Sequence, residues 1–394
     1  MKLSMRFELV ILLALCLALS SACSKGTRNK GWSVNIEIVD GIKVITNPEE
    51  PKFGVFEFEL EEDLAIGDAN DEDYFFMRRL TLSVDNEGNL FVCDGGSKRV
   101  TKYDKNGIYV GVIGRQGQGP GEYMSPSRVF LDDFGNSCVH DFRSLLFFDK
   151  DGVFQKKIPL KGMYNLFPGP HGTFLYSTQP SGFAEGGAKT SIMQISETGE
   201  PVRTIAEYPV SYNKSFKSTV LHWYTNWAAF TPRTFDSFYY GFSRDYMINV
   251  ADSDGSTIFI FAKEENPQPI SVEEKKLTMK DGIMLVSGTK DVERATVFPE
   301  HRPFFRSFFS DDTGHLYVIL FKSIFEREEQ NLAVDVFSKE GIYLYRMNWS
   351  FIPALIKESF LYEVREDEDT GDVKVIRHKI TNWNKFKEEQ AYKN

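Results

Sequence analysis

Turn chemistry that returns at a regular spacing constrains this chain more than any other feature. From Leu80 to Tyr123, short runs rich in Val, Leu, Tyr and Phe alternate with three polar clusters: Asp85-Asn86-Glu87-Gly88-Asn89, Asp94-Gly95-Gly96-Ser97 and Asp104-Lys105-Asn106-Gly107. Asn-Gly and related pairs supply the positive φ angles of a tight hairpin, so the stretch reads as an antiparallel meander of strands A to D. The pattern then repeats. Placed beneath Thr81 to Ile113, the segment Arg128 to Leu160 sets Asp132-Asp133-Phe134-Gly135-Asn136 under the first turn. The same alignment sets Phe148-Asp149-Lys150-Asp151-Gly152 under Tyr103-Asp104-Lys105-Asn106-Gly107. Looser copies follow, marked by Gly172 and Gly199, Gly241 and Gly255, and Gly314 and Gly341. A last pair of strands, 360–364 and 373–376, lacks a fourth member, and the alternating run Phe53 to Leu60 is the candidate to supply it. Such repeats predict an all-β chain, a six-bladed β-propeller over residues 32–385. Its last blade is closed by the N-terminal strand at about 53–60, so that no sheet edge is left open.

Composition agrees. The chain has 34 Phe and is 14% aromatic, which suits strands packed face to face over large side chains. A formal net charge of −10 argues against a nucleic-acid partner. At the N-terminus, Lys2 and Arg6 precede an apolar run from Leu9 to Leu19, followed by Ser20-Ser21-Ala22 and Cys23. A basic end, a short apolar run and small residues describe a signal peptide over residues 1–22 rather than a membrane span. The small residues before Cys23 resemble a bacterial lipoprotein signal, although Ser20 stands where Leu is usual; Cys23 is then the lipidation site and 23–31 a lipidated tether. Residues 386–394 read as a polar tail. Cys93 and Cys138 fall in strand-like runs, as buried thiols or as a disulfide in an oxidising compartment.

Four segments exceed the repeat: Gly182 to Lys189, Ser211 to Trp227, Glu264 to Arg302 and Ser323 to Gln330. Ser271-Val272-Glu273-Glu274 has the Ser-x-x-Glu of a helix start. The order of strands and turns, ending in Gly114-Arg115-Gln116-Gly117-Gln118-Gly119-Pro120-Gly121-Glu122, resembles an NHL-type propeller blade. With the lipoprotein-like signal, Asn47-Pro48-Glu49-Glu50-Pro51 and Val375-Ile376-Arg377-His378-Lys379-Ile380, the chain resembles the six-bladed β-propeller lipoproteins of Bacteroidota over roughly residues 30 to 385. The resemblance implies a lipid-anchored place in the bacterial cell envelope, at the outer membrane on its periplasmic side or at the cell surface. It implies little about chemistry, because propellers host many functions.

Propeller ligands usually meet the face built by the D–A and B–C connections. There the sequence places Arg79, Lys98, Arg99, Arg115, Arg128, Arg143, Arg244 and Arg306, with Arg79, Arg128 and Arg306 near the starts of channel-lining A strands. Guanidinium groups in such a ring can grip carboxylate or phosphate bidentately, or each can pair with a local acid such as Asp94, Asp141 or Asp245. The glycines of 114–121 offer a backbone cradle for an anion, or a linker between blades; no P-loop Lys-Ser/Thr follows them. Asp149-Lys150-Asp151-Gly152 and Asp252-Ser253-Asp254-Gly255 lack the remaining ligands of a calcium loop, and hairpin turns account for them. His222, Trp223, Tyr224 and Trp227 could stack on sugars or grip peptides, or pack between blades. His140, His222 and His301 come from three blade junctions and could hold a divalent metal with one position open. No nucleophile elbow, Walker sequence or His-Glu-x-x-His is present. The leading expectation is a non-enzymatic envelope protein that needs no cofactor, has no assigned catalytic residue and binds a glycan, peptide or protein partner. The alternatives are a metal-assisted lyase or hydrolase at the channel mouth, and a structural subunit of an outer-membrane assembly.

Overall fold

The computed structural model describes residues 31–160, 166–169, 173–178, 187–196, 198–234, 236–284, 291–329 and 331–386. Six antiparallel sheets form the blades of a propeller. Their innermost strands are Leu80–Val84, Pro126–Leu131, Leu166–Pro168, Ala228–Thr234, Phe305–Ser310 and Leu355–Lys357, in blades one to six. The second strands of blades one and two, Leu90–Asp94 and Ser137–Asp141, are buried along their whole length. They are covered on both faces by neighbouring blades, which is why they read as continuous apolar runs. Blades one and two close over Phe91, Val100, Val129, Val139 and Leu146, and blades two and three over Phe130, Leu145, Phe174 and Ile195. Cys93 belongs to the first of these clusters and Cys138 to the second, so they lie on separate faces and both remain free thiols. Burial pushes the Cys93 thiol up to about 12.

The A–B and C–D turns gather on one face, called lower here, and there the turns led by an aspartate satisfy their own backbone. Asp104 Oδ1 accepts the N–H groups of Asn106 and Ile108, both at 2.8 Å, and Gly107 follows at φ 80°. Asp85, Asp132, Asp149 and Asp252 repeat the device. Asp149 and Asp252 are thus turn formers whose carboxylates are already engaged.

The N-terminal region departs from expectation. Asn35–Val39 and Ile42–Asn47 form a hairpin on the outside of blade four, with Ile42–Asn47 parallel to Thr257–Lys263. Asn47 is fully buried; its amide donates to the carbonyls of Ala262 at 3.0 Å and Gly341 at 2.9 Å, and its oxygen accepts from Tyr343 N–H at 2.8 Å. The run expected to complete the last blade, 53–60, instead lies along blade five, where the N–H groups of Phe53 and Phe56 donate to Leu344 and Arg346. Phe56 and Phe58 are drawn there by Tyr345, Trp383 and Phe386, whose rings they meet at 5.0 to 5.9 Å across this cluster. The fourth place in blade six is taken by Leu60–Ile66, antiparallel to Val373–Ile380. Phe386 is buried in the same cluster and so belongs to the fold rather than to a polar tail. Residues 1–30, with the signal and Cys23, and residues 387–394 lie outside the described residues. Among the described residues no helix is long and apolar enough to cross a membrane.

Candidate functional site on the upper face

The D–A and B–C connections form the opposite, upper face, and two aspartates build its frame. Asp94 ends the second strand of blade one, and its carboxylate accepts from Met77 N–H at 2.6 Å, Arg78 at 3.3 Å, Gly96 at 2.8 Å and Ser97 at 3.1 Å. Asp141 does the same in blade two for Met124 at 3.0 Å and Ser125 at 2.6 Å. Each carboxylate ties the incoming connection to its blade. This uses up Asp94 and Asp141, the acids expected to neutralise nearby arginines.

The cationic set divides accordingly. Arg115 pairs with Glu122 at 2.7 Å and Arg244 with Asp245 at 3.2 Å, while Arg99 donates to the carbonyls of Glu72 and Phe75. Arg79, Lys98, Arg128, Arg143 and Arg306 make no ion pair among the described residues; Arg128 instead stacks 4.0 Å from the Phe167 ring centroid and Arg306 lies 5.9 Å from that of Trp223. The glycine cradle is filled by the chain itself. Glu122 accepts from Gly119 N–H at 2.8 Å, and a Cβ at Gly117 would come within 2.2 Å of its carboxylate. The Gly119 amide and the Arg115 guanidinium hold the Glu122 carboxyl below its ordinary value. Of the two readings of 114–121, the anion cradle is thus occupied by an internal carboxylate.

The aromatic segment is corrected in part. The helix Val272–Asp281 starts at its Ser271 cap as the sequence indicates, and Glu274 closes the capping box. Buried Glu274 also accepts from the Tyr224 hydroxyl and pairs with Arg302 at 2.8 Å, so the 264–302 insertion is fixed over the 211–227 connection. Tyr224, Ile270 and Ile324 form the core of this cap, with Trp223, Phe298 and Phe321 against it. His222 is buried there against Phe298, its Nδ1 accepting from Tyr224 N–H. Trp223 is half-buried and donates from its indole to Lys322 O at 2.7 Å. Trp227 is exposed beside a recess lined by Ser177, Thr178, Thr190 and Asn226. His222 and Tyr224 hold the scaffold, and Trp223 and Trp227 reach the surface.

The three histidines do not form a metal centre: among the described residues no three His, Cys, Asp or Glu side chains come together. The reason is local engagement. His140 Nδ1 contacts Ser127 Oγ at 2.9 Å, His222 is locked in the cap, and His301 Nδ1 meets Arg302 O at 2.7 Å.

The sequence did not single out what else marks this face. Met77, Met124, Phe142 and Phe325 are exposed on its connections. Arg79, Lys98 and Phe142 adopt positive φ angles of 58°, 57° and 40°. Such conformations strain residues with a Cβ, most of all a bulky one, and collect where structure serves binding. The Asp141-Phe142-Arg143-Ser144 turn carries the signal in its composition, since no glycine stands where blade one has Gly95 and Gly96.

A family model described as a six-bladed β-propeller, DUF5128, matches residues 73–334. Among solved structures the chain is similar to an exported protein of Bacteroides fragilis, at 12% identity and TM-score 0.52, covering 86% of this chain and 99% of that one. It is also similar to a DUF4221 family member of Bacteroides vulgatus, at 11% identity and TM-score 0.44, covering 82% of this chain and 98% of that one. A virginiamycin B lyase of Staphylococcus aureus follows at 12% identity and TM-score 0.38, covering 81% of this chain and 99% of that one. At these identities the likeness bears on the fold alone. A search of the curated proteins returns no match. The family match extends over more than half of the sequence, and the chain belongs to the DUF5128 family of six-bladed β-propellers.

Proposed function

We propose that the chain is an exported, lipid-anchored binding protein of the bacterial envelope, which presents its upper face to an anionic glycan, peptide or protein partner. The observation that carries this reading is the coincidence, on one face, of unpaired cations, exposed apolar side chains and strained residues around Arg79, Lys98 and Phe142. Unpaired guanidinium groups beside apolar side chains suit a partner that brings negative charge together with apolar or ring surface. Export is supported by the basic end, apolar run and small residues before Cys23. The test is binding to immobilised panels of acidic and neutral polysaccharides and peptides. Phe142→Gly, Arg143→Ser and Trp227→Ser in one protein should abolish capture with melting unchanged, whereas Phe134→Ser on the lower face should leave capture intact. Equal loss in both would sink the assignment. The anchor has its own check: Cys23→Ala should move the protein from the membrane to the soluble envelope fraction, and continued sedimentation with membranes would refute lipidation there.

A further inference from the structure

On the upper face Arg128 and His140 set a half-buried cation beside a buried, unanswered ring nitrogen. Arg128 and His140 stand opposite each other in the first two strands of blade two, beside a bulge between Pro126 and Arg128. Residues opposed across a ladder project to the same side of the sheet, here the side that packs on blade three. The flat of the Arg128 guanidinium lies on Phe167 of blade three, 4.0 Å from its centroid. Stacking leaves the N–H edge of the group available for in-plane acceptors. Arg128 makes no hydrogen bond or ion pair among the described residues, and the adjacent Asp141 is occupied by the amides of Met124 and Ser125. His140 is only 4% exposed, and its Nε2 has no hydrogen-bond partner.

Two such groups side by side are costly to leave unanswered. A half-buried cation without a counter-charge and a buried ring nitrogen without a partner each destabilise the chain. We propose that Arg128 and His140 form a carboxylate subsite at the channel mouth, Arg128 gripping the ligand's two oxygens through its exposed N–H edge and His140 adding a hydrogen bond from Nε2. The subsite requires the ring hydrogen on Nε2, which makes the Ser127 hydroxyl, 2.9 Å from Nδ1, the donor to that nitrogen rather than to His140 O at 3.2 Å. Burial, with the Arg128 charge beside it, pulls the His140 pKa to about 4, so the ring is neutral near pH 7. A carboxylate fits better than phosphate because the pair offers one cation and one neutral donor, enough for a single negative charge. The subsite rests on the reading of the upper face as a binding surface and names the chemistry that face selects.

A carboxylate can reach this site from an acidic peptide or from a uronic acid. The experiment follows the His140 ring signals by NMR in the purified full chain during titration with N-acetylglutamate and, separately, glucuronate at constant ionic strength. A saturable shift is expected with at least one probe, weakened roughly tenfold or more in Arg128→Gln, the cost of losing a bidentate pair. The control Arg203→Gln, on the lower face, should change nothing. The probe that binds more tightly identifies the source. No saturation with either probe by about 50 mM, weaker than any specific subsite, would overturn the proposal, as would equal affinity in Arg128→Gln. Arg128→Met supplies an independent readout without ligand. An unanswered cation replaced by an apolar side chain should leave the melting temperature unchanged or raise it, and a marked fall would show that Arg128 is structural. Failure of these titrations with face-dependent capture intact would remove the subsite alone.

Discussion

On the lower face, Asp85, Asp104, Asp132, Asp149 and Asp252 each fold back onto amides two and four residues ahead. On the upper face, Asp94 and Asp141 reach across to a different connection, and arginines are left without acids. The lower turns complete their own polar groups within five residues, leaving apolar side chains such as Phe134 and Ile108 exposed but no unanswered charge at these aspartates. The upper connections are held by contacts distant in sequence, which frees their other side chains to point outward. One face is chemically closed and the other open, although the same repeat makes both.

The comparison can be broken most directly at Asp94. Asp94→Ala strands four amides in a nearly buried place and should cost about 3 kcal/mol or more, with lost capture by the upper face. Urea unfolding measures it, and a cost under about 1 kcal/mol would show that the frame is redundant. Acid tests the same contrast. Burial pulls His140 and His222 from 6.5 to about 4, so between these values the unfolded chain takes up protons that the folded chain refuses. Stability should therefore fall as the pH drops from 6.5 to 4, by about 3 kcal/mol for each ring that stays fully buried. The lower-face Asp311 also loses stability in acid, but only in a lower pH window. Burial would raise its pKa, but hydrogen bonds from His315 and Thr313 hold it below 3.8, so its contribution is present above that value and fades only at lower pH. Melting curves across this range should flatten when His140 and His222 are both Gln, and an unchanged slope would place the acid lability elsewhere. The smallest effect belongs to a closed turn: Asp132→Ala should cost about 1 kcal/mol, since water can replace an exposed carboxylate, with capture unaltered.

The same distinction explains what could be read from the sequence. The blades and lower turns were legible because each turn is local: Asp, then Gly, between apolar runs. The helix start at Ser271 was legible for the same reason. The fate of His222 and Tyr224 was not, because it depends on Glu274 and Arg302, half a hundred residues and more away. The last strand misled differently. Phe53 to Leu60 has the alternation of a strand, yet its rings serve the cluster around Phe386. The strand actually used, Leu60–Ile66, carries three consecutive acids because an outer strand shows most of its side chains to water. Arg115, Arg99 and Arg244 looked no different in sequence from Arg128. Only the placement of Glu122, Asp245 and the carbonyls of Glu72 and Phe75 separates the occupied from the unoccupied.

The path of residues 35–66, from blade four along blade five to blade six, also sets the order in which the molecule can assemble. Asn47 binds Tyr343 across 296 positions, and Arg377 binds Asp63 across 314. These pairings wait for residues 343 and 377 to be synthesised, so residues 35–66, made much earlier, are among the last to dock. Such distant pairings slow folding and keep strand edges uncovered meanwhile. A chain that stops before Trp383 would lack Phe386 and the ring cluster that draws Phe56 and Phe58 into place. Late truncation should thus release the beginning of the chain as well as its end.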